Sequence, residues 1–473
     1  VLATSLTAVL ELHLERPSPA EIGLWMMRGL EVIEPTLHTE MQTGTLLLTS
    51  GERLIAARAV PRELAGHAPQ QAAGPLSVAL SAMFAEAWRR SPALREAGPE
   101  KMLSSAFEEL FNHLDPYSRY LTPAEAEAAR YRRAGQGGLG LRLAAGRGGE
   151  VRIANVTPEG PAARAGLRAG DRLLAVDRVA VLAGDLAGAT GLLEGPAEST
   201  VTLALERGGR RFEQSLRRGA APPPVLAVER RADILWLRLE GFSSQSEVRI
   251  ADALREAFRG NPPRGVVLDL RGNRGGVLDQ AVGIAGLFLP DGVIARTDGR
   301  HADAGRTWVS TGPDLAEGVP IVVLVDGRTA SSAEIVAAAL GDRGRAVVVG
   351  SVTTGKGLIQ AVIPLPNGGE LLLTWSRVLA PRGWPIQALG VLPALCTSLG
   401  AEALAANLAD LRRGEAPMAD MLAAERALRA QVPPATVTRI RNACPPAEGR
   451  EGDLAAARAL IEAPEAWNTA LAR

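Results

Sequence analysis

The chain has 473 residues, with 52 Lys plus Arg against 52 Asp plus Glu and 47% hydrophobic residues. Balanced charge gives no electrostatic reason to bind nucleic acid or an anionic membrane surface, and no apolar run reaches transmembrane length. A chain this long calls for roughly two to four domains.

Residues 1–134 read as a helical N-terminal domain, with apolar residues at helical spacing in LSVALSAMFAEAW and MLSSAFEELFNHL. The domain closes on LDPYSRYLTPAEAEAARY, where Asp-Pro marks a turn and Thr-Pro a helix start. From 135 to 218 the texture changes to short strands with Gly-rich turns. This stretch resembles a PDZ domain, with GLGL (Gly138, Leu139, Gly140, Leu141) at the ligand loop and GPAARAGLRAGDRLLAVD as its middle. A PDZ fold adds an extended peptide to a sheet edge and captures its terminal carboxylate with backbone N–H groups. The resemblance therefore makes the loop at 138–141 a candidate site for a protein C-terminus; a turn that binds nothing is the plain alternative.

GAAPPPV, residues 219–225, reads as a stiff linker. The segment 219–395 then alternates strands and helices: ILWLRLEGF, SEVRIADALREAFRG, GVVLDL, LDQAVGIAGLFL, IVVLVD, SAEIVAAALGD and AVVVG. Such alternation predicts an α/β layer with parallel strands. LIQAVIPLPNGGELLLTWSRV reads as a β-hairpin, and residues 396–473, rich in Ala, Leu and Arg, as a helical C-terminal extension packed on the core.

The two cysteines, Cys396 and Cys444, are compatible with one disulfide in an oxidising compartment or with two buried thiols. If bonded, they stabilise the fold by about 3 to 4 kcal/mol in the loop-entropy model. Five scattered histidines form no ligand cluster, so no metal or other cofactor is expected. The chain opens at Val1, which fits the removal of a leader segment.

Of the 52 basic side chains only Lys101 and Lys356 are lysines. Lys356 lies in GSVTTGKG, which matches a phosphate loop, but position 357 is Gly and a hairpin follows where a helix should open. A lone lysine among arginines suggests a task that needs a neutral amine, which guanidinium cannot supply. In an α/β sheet the loops after successive parallel strands share one edge. That edge brings together GNRGG after GVVLDL, GRTASS after IVVLVD and SVTTGKG after AVVVG. Ser331, opening a helix, would thus meet Lys356, a base able to take its proton. The glycine turn and the Ser332 amide would face a developing oxyanion, and Gln360 could fix the amine. Ser331-x-x-Glu334 is also a capping box, so Ser331 read alone is only an N-cap. Neither G-x-S-x-G nor S-x-x-K occurs.

VVLDLRGNRGGVLDQAVGIAGLFL, VLVDGRTASSAEIVAAAL, VTTGKGLIQ, LLLTWSRVLAPRGWPIQALGVLP and LDPYSRYLTP resemble the carboxy-terminal processing (tail-specific) proteases, over about residues 113–393. The resemblance implies a multidomain α/β fold: a crotonase/Clp-protease-like α/β core with an inserted PDZ domain and helical N- and C-terminal segments. It implies a serine endopeptidase with nucleophile Ser331, base Lys356, its partner Gln360, and Gly275 and Ser332 as oxyanion-hole amides. Its partners would be protein or peptide C-termini, in a periplasmic or otherwise exported setting, with an oligomer possible. Arg274, Thr354 and Ala394 stand where the family usually has proline, an aromatic and aspartate. The alternative is a PDZ peptide-binding scaffold with a catalytically silent core.

Overall fold

A computed structural model of the chain describes residues 1–61, 69–133, 138–156, 160–193, 195, 198–219, 226–243, 245–429 and 431–471. Helices Leu2–Leu12, Pro19–Arg28, Pro69–Arg90 and Pro92–Asn112 dominate the N-terminal segment. Residues 37–59, however, form a three-stranded antiparallel sheet that the helical reading does not anticipate. Its first turn uses Thr43 and Gly44, both at positive φ (49° and 82°), as a two-residue hairpin requires. Leu46 and Leu48 alternate on the buried face and join the helices in one core with Leu371 and Leu373 of the later hairpin.

Residues 141–217 build a separate six-stranded sheet around Leu139, Ile153, Leu173, Val201, Leu203 and Leu205. The proposed linker from 220 to 225 lies outside the described residues.

The third sheet orders its strands Leu226–Arg231, Ile234–Leu239, Gly265–Asp269, Ile321–Val325, Val347–Gly350 and Leu395–Cys396. All neighbours beyond the first pair are parallel. GVVL, IVVLV and VVVG are uninterrupted apolar runs because a parallel sheet is covered on both faces. Helices Ser246–Phe258, Leu278–Gly286 and Ser332–Asp342 cover one face. On the other, the strand residues Val267, Leu324 and Val349 pack with Leu411, Ala457 and Leu460 of helices Ala401–Arg412 and Glu451–Glu462. The C-terminal helices thus pack on the core as expected, but on both sides of the sheet: Met418, Leu422 and Ile440 of the intervening segment join the core formed with Ile250, Ile284 and Ile335. A disulfide between Cys396 and Cys444 fastens the end of helix Pro434–Ala443 to the edge strand Leu395–Cys396.

A fourth, antiparallel sheet orders Thr307–Ser310, Gly292–Gly299, Glu370–Leu379 and Leu358–Pro364, the first two strands not foreseen. Arg119–Leu121, arriving from the N-terminal segment, also pairs with Glu370–Leu379.

Candidate active site

Strands Gly265–Asp269, Ile321–Val325 and Val347–Gly350 are consecutive neighbours running in one direction, so their following loops meet at one edge. The middle loop ends at Ser331, which sits at φ 59° and ψ −120°, a conformation costly for a residue with a Cβ. Helix Ser332–Asp342 follows immediately. Gly275, at φ 97°, lies against this turn so closely that a Cβ there would come 2.7 Å from the Ser331 Cβ. Only glycine fits. The Ala330 N–H donates to the Asn273 carbonyl at 2.9 Å, which joins the two loops.

Glu334, one turn into the helix, holds the third loop as well. It is fully buried, yet its carboxylate accepts four hydrogen bonds. They come from the Ser331 N–H (2.8 Å), the Thr353 hydroxyl (2.5 Å), the Gly355 N–H (2.6 Å) and the Lys356 N–H (3.1 Å). Burial pushes its pKa up, and these donors oppose that shift. Sequence reading saw in Glu334 only a helix cap. The available signal was its position as the one charged residue between Ser331 and Gly341.

Lys356 Nζ donates to Gln360 Oε1 at 3.1 Å, and Gln360 Nε2 donates to the Tyr117 carbonyl at 2.6 Å. The Tyr117 ring lies beneath the ammonium, its centroid 5.3 Å from Nζ. Burial pushes the Lys356 pKa down and the charge of Arg119 pushes the same way, with Glu334 and Asp115 acting oppositely. Tyr117 is held by the Asp115 carboxylate, which accepts from the N–H groups of Tyr117 (2.8 Å) and Ser118 (2.9 Å). The sequence marked Asp115 only as part of an Asp-Pro turn and did not single out Tyr117, because a backbone carbonyl leaves no residue-type signature.

Ser331, Ser332, Gly275, Lys356 and Gln360 all line one cleft of about 740 Å³, whose apolar wall includes Phe242, Leu278, Ile335, Ile359 and Val378. Among the described residues no hydrogen bond joins Ser331 Oγ to Lys356 Nζ. The Gly275 N–H donates to Asn273 Oδ1 at 2.8 Å and so is engaged within its own loop. Among the described residues no carbonyl or side chain accepts the first-turn amide of Ser332. In the PDZ-like unit, the Leu139 side chain is buried in the core. The carbonyls of Gly138 and Leu139 accept from Gly219 and Ala162, both at the foot of the 138–141 loop. No metal-binding cluster of His, Cys, Asp and Glu occurs among the described residues.

Residues 233–395 match Peptidase family S41, and residues 152–207 match the PDZ domain. The carboxy-terminal-processing protease of Bartonella bacilliformis is 32% identical over 300 residues, covering 62% of this chain and 69% of its own length. The carboxyl-terminal-processing protease of Picosynechococcus sp. is 33% identical over 309 residues, 62% of this chain and 73% of that protein. The chloroplastic C-terminal processing peptidase of Tetradesmus obliquus is 33% identical over 305 residues, 59% and 64% of the two chains. Among solved structures, a photosystem II D1 C-terminal processing protease is 28% identical, with 69% of this chain and 96% of that one covered and a TM-score of 0.42. An S41 core joined to a PDZ domain defines a serine-type protease. The chain belongs to peptidase family S41, with the carboxy-terminal-processing proteases.

Proposed function

We propose that the chain is an endopeptidase that cuts polypeptides near their C-terminal tails, with Ser331 as nucleophile and Lys356 as its general base. The observation that carries this reading is the half-buried amine of Lys356, held by Gln360 in the cleft that Ser331 also lines. Neutral Lys356 takes the Ser331 proton as Oγ attacks the scissile carbonyl, and the ammonium then returns a proton to the leaving amine. Gln360 accepts from Nζ and so aims the lone pair of the neutral amine. The Ser332 amide faces the oxyanion directly, and Gly275 adds a second donor once its N–H leaves Asn273. Closing the gap between Oγ and Nζ accompanies substrate binding, as is common for catalytic hydrogen bonds.

The loop at 138–141 reads the substrate's terminal carboxylate by backbone donors. The Cys396–Cys444 bond and the lack of a membrane-crossing helix among the described residues fit an exported setting. A labelled unstructured peptide incubated with the wild type and with Ser331→Ala tests the reading: cleavage by the first and none by the second is expected. Intact peptide in both tubes overturns it. In the same assay, amidating the peptide's C-terminus should slow cleavage, and equal rates would remove the tail-reading role.

A further inference from the structure

The cleft carries charge of one sign. Its described lining includes Arg119, Arg274 and Lys356 and no acidic residue. Elsewhere arginines at element junctions are neutralised: Arg271 pairs with Asp269 and Asp453, Arg426 with Asp342, and Arg345 with Asp314. Arg119 and Arg274 are both exposed, and among the described residues neither has an acidic partner.

The two guanidinium groups flank the Ser331–Lys356 edge. Arg274 adjoins Gly275, which presses on Ser331. Arg119, on the strand Arg119–Leu121, lies near enough to Lys356 for its charge to act on the ammonium. Two guanidinium groups with no acidic partner leave net positive charge at the cleft, and an apolar wall focuses their field into it, which favours an anionic group there.

We propose that Arg119 and Arg274 are specificity-determining residues that bind carboxylates of the substrate chain, so the preferred segment is apolar at the cut and anionic beside it. This rests on the protease reading above. A guanidinium presents paired N–H donors matched to a carboxylate, whether from an Asp or Glu side chain or from a chain end. Lysine or arginine beside the cut would be repelled.

Affinity for full-length Ser331→Ala, which cannot turn substrate over, tests this by fluorescence anisotropy. Four peptides share one apolar centre. Three have amidated ends and carry Glu, Gln or Lys on both sides, and the fourth carries Gln with a free C-terminus close to the centre. The Glu peptide should bind about tenfold tighter than the Gln peptide, a difference worth about 1.4 kcal/mol, and the Lys peptide should bind more weakly than either. Adding Arg119→Gln and Arg274→Gln should level the three amidated peptides, and circular dichroism should show the fold kept because both side chains are exposed. If the free C-terminus also tightens binding, loss of that gain in the double variant assigns it to the cleft as a second source of carboxylate. A terminal gain that survives belongs to another site, and the Glu preference alone then carries the proposal.

Equal affinity of the Glu and Gln peptides, including no measurable binding of either, overturns the proposal, as does a Glu preference that persists in the double variant. Wild-type cleavage of the same peptides separates the two readings. Cutting without charge preference sinks only the specificity, whereas charge-selective binding without cutting sinks only the protease.

Discussion

Glu334 and Lys356 are joined through the main chain and not by an ion pair: Glu334 Oε2 accepts from the Lys356 N–H at 3.1 Å while the ammonium turns to Gln360. The same oxygen takes the Ser331 N–H. One buried carboxylate therefore fixes the spacing between the two loops that carry the proposed dyad, and it does so without directly pairing with the lysine side chain.

Glu334→Gln tests that role. Each carboxylate oxygen receives two donors, so an amide, whichever way it is turned, sets its NH₂ against two of them. Losing two buried charge-assisted bonds should cost about 3 kcal/mol or more. Denaturant unfolding should show that loss, and cleavage by the folded fraction should fall because Ser331 and Lys356 are no longer held in register. A variant with wild-type stability would mean that the four bonds are replaceable by water.

Lys356→Arg keeps the charge and approximate reach but stays protonated. Cleavage should drop by about a thousandfold, with circular dichroism and peptide binding unchanged. In the wild type, the active form is the neutral amine, so the rate should rise with pH. Because burial and Arg119 hold the amine below its ordinary value, the midpoint of that rise should lie below about 10.4. An active arginine variant, or a rate indifferent to pH, would remove Lys356 as the base.

The elements and residues that were legible in the sequence share one physical cause. Strands covered on both faces must be apolar without interruption, so GVVL, IVVLV and VVVG announce themselves, and the loops that follow them fall at a common edge. Ser331, Lys356 and Gln360 stand out there by residue type. Glu334 did not, because a capping box four residues long hides its bonds to Thr353, Gly355 and Lys356, which lie 19 to 22 positions away. Tyr117 did not, because its contribution is a carbonyl 243 positions from Gln360. The sheet at 37–59 was missed because its hairpin turns on Thr43-Gly44 instead of the Asn-Gly that usually signals such a turn. The Gly275 amide looked free for an oxyanion, and its capture by Asn273 depends on a side-chain rotamer that no pattern records.

The Cys396–Cys444 bond spans 48 positions. It joins the edge strand Leu395–Cys396 to the end of helix Pro434–Ala443, so it restrains the helical layer in which Ile440, Met418 and Leu422 pack on the same core as the active-site helices. Closing a loop of that length should stabilise by about 4 kcal/mol in the entropy model. Unfolding of Cys396→Ser/Cys444→Ser against the oxidised wild type should show a lower denaturant midpoint by a corresponding amount. Matching midpoints would mean that packing alone holds the layer.

Asp115 ties the N-terminal segment to the proposed dyad and should make that tie sensitive to acid. Burial alone would raise its pKa, but bonds from His13 Nε2 (2.9 Å), the Ser118 hydroxyl, the Tyr117 N–H and the Thr374 hydroxyl (2.8 Å) draw it well below the usual aspartate range. His13 Nδ1 accepts the Glu15 N–H at 3.1 Å, which leaves the proton on Nε2 to face the carboxylate. A carboxyl whose folded pKa is depressed contributes stability that is fully present above its unfolded value, about 3.9, and lost as pH falls through the folded one. Asp115→Asn should therefore be less stable than the wild type at pH 7, and the gap should narrow steadily below about pH 4. The asparagine amide can still accept from the Tyr117 N–H, but its NH₂ faces His13 Nε2–H and the Ser118 hydroxyl, so the turn loosens and the carbonyl that orients Gln360 moves. Cleavage at pH 7 should then fall more than the loss of folded protein accounts for. A stability gap that stays constant from pH 7 to pH 3 would show that the Asp115 charge takes no part in fastening the turn.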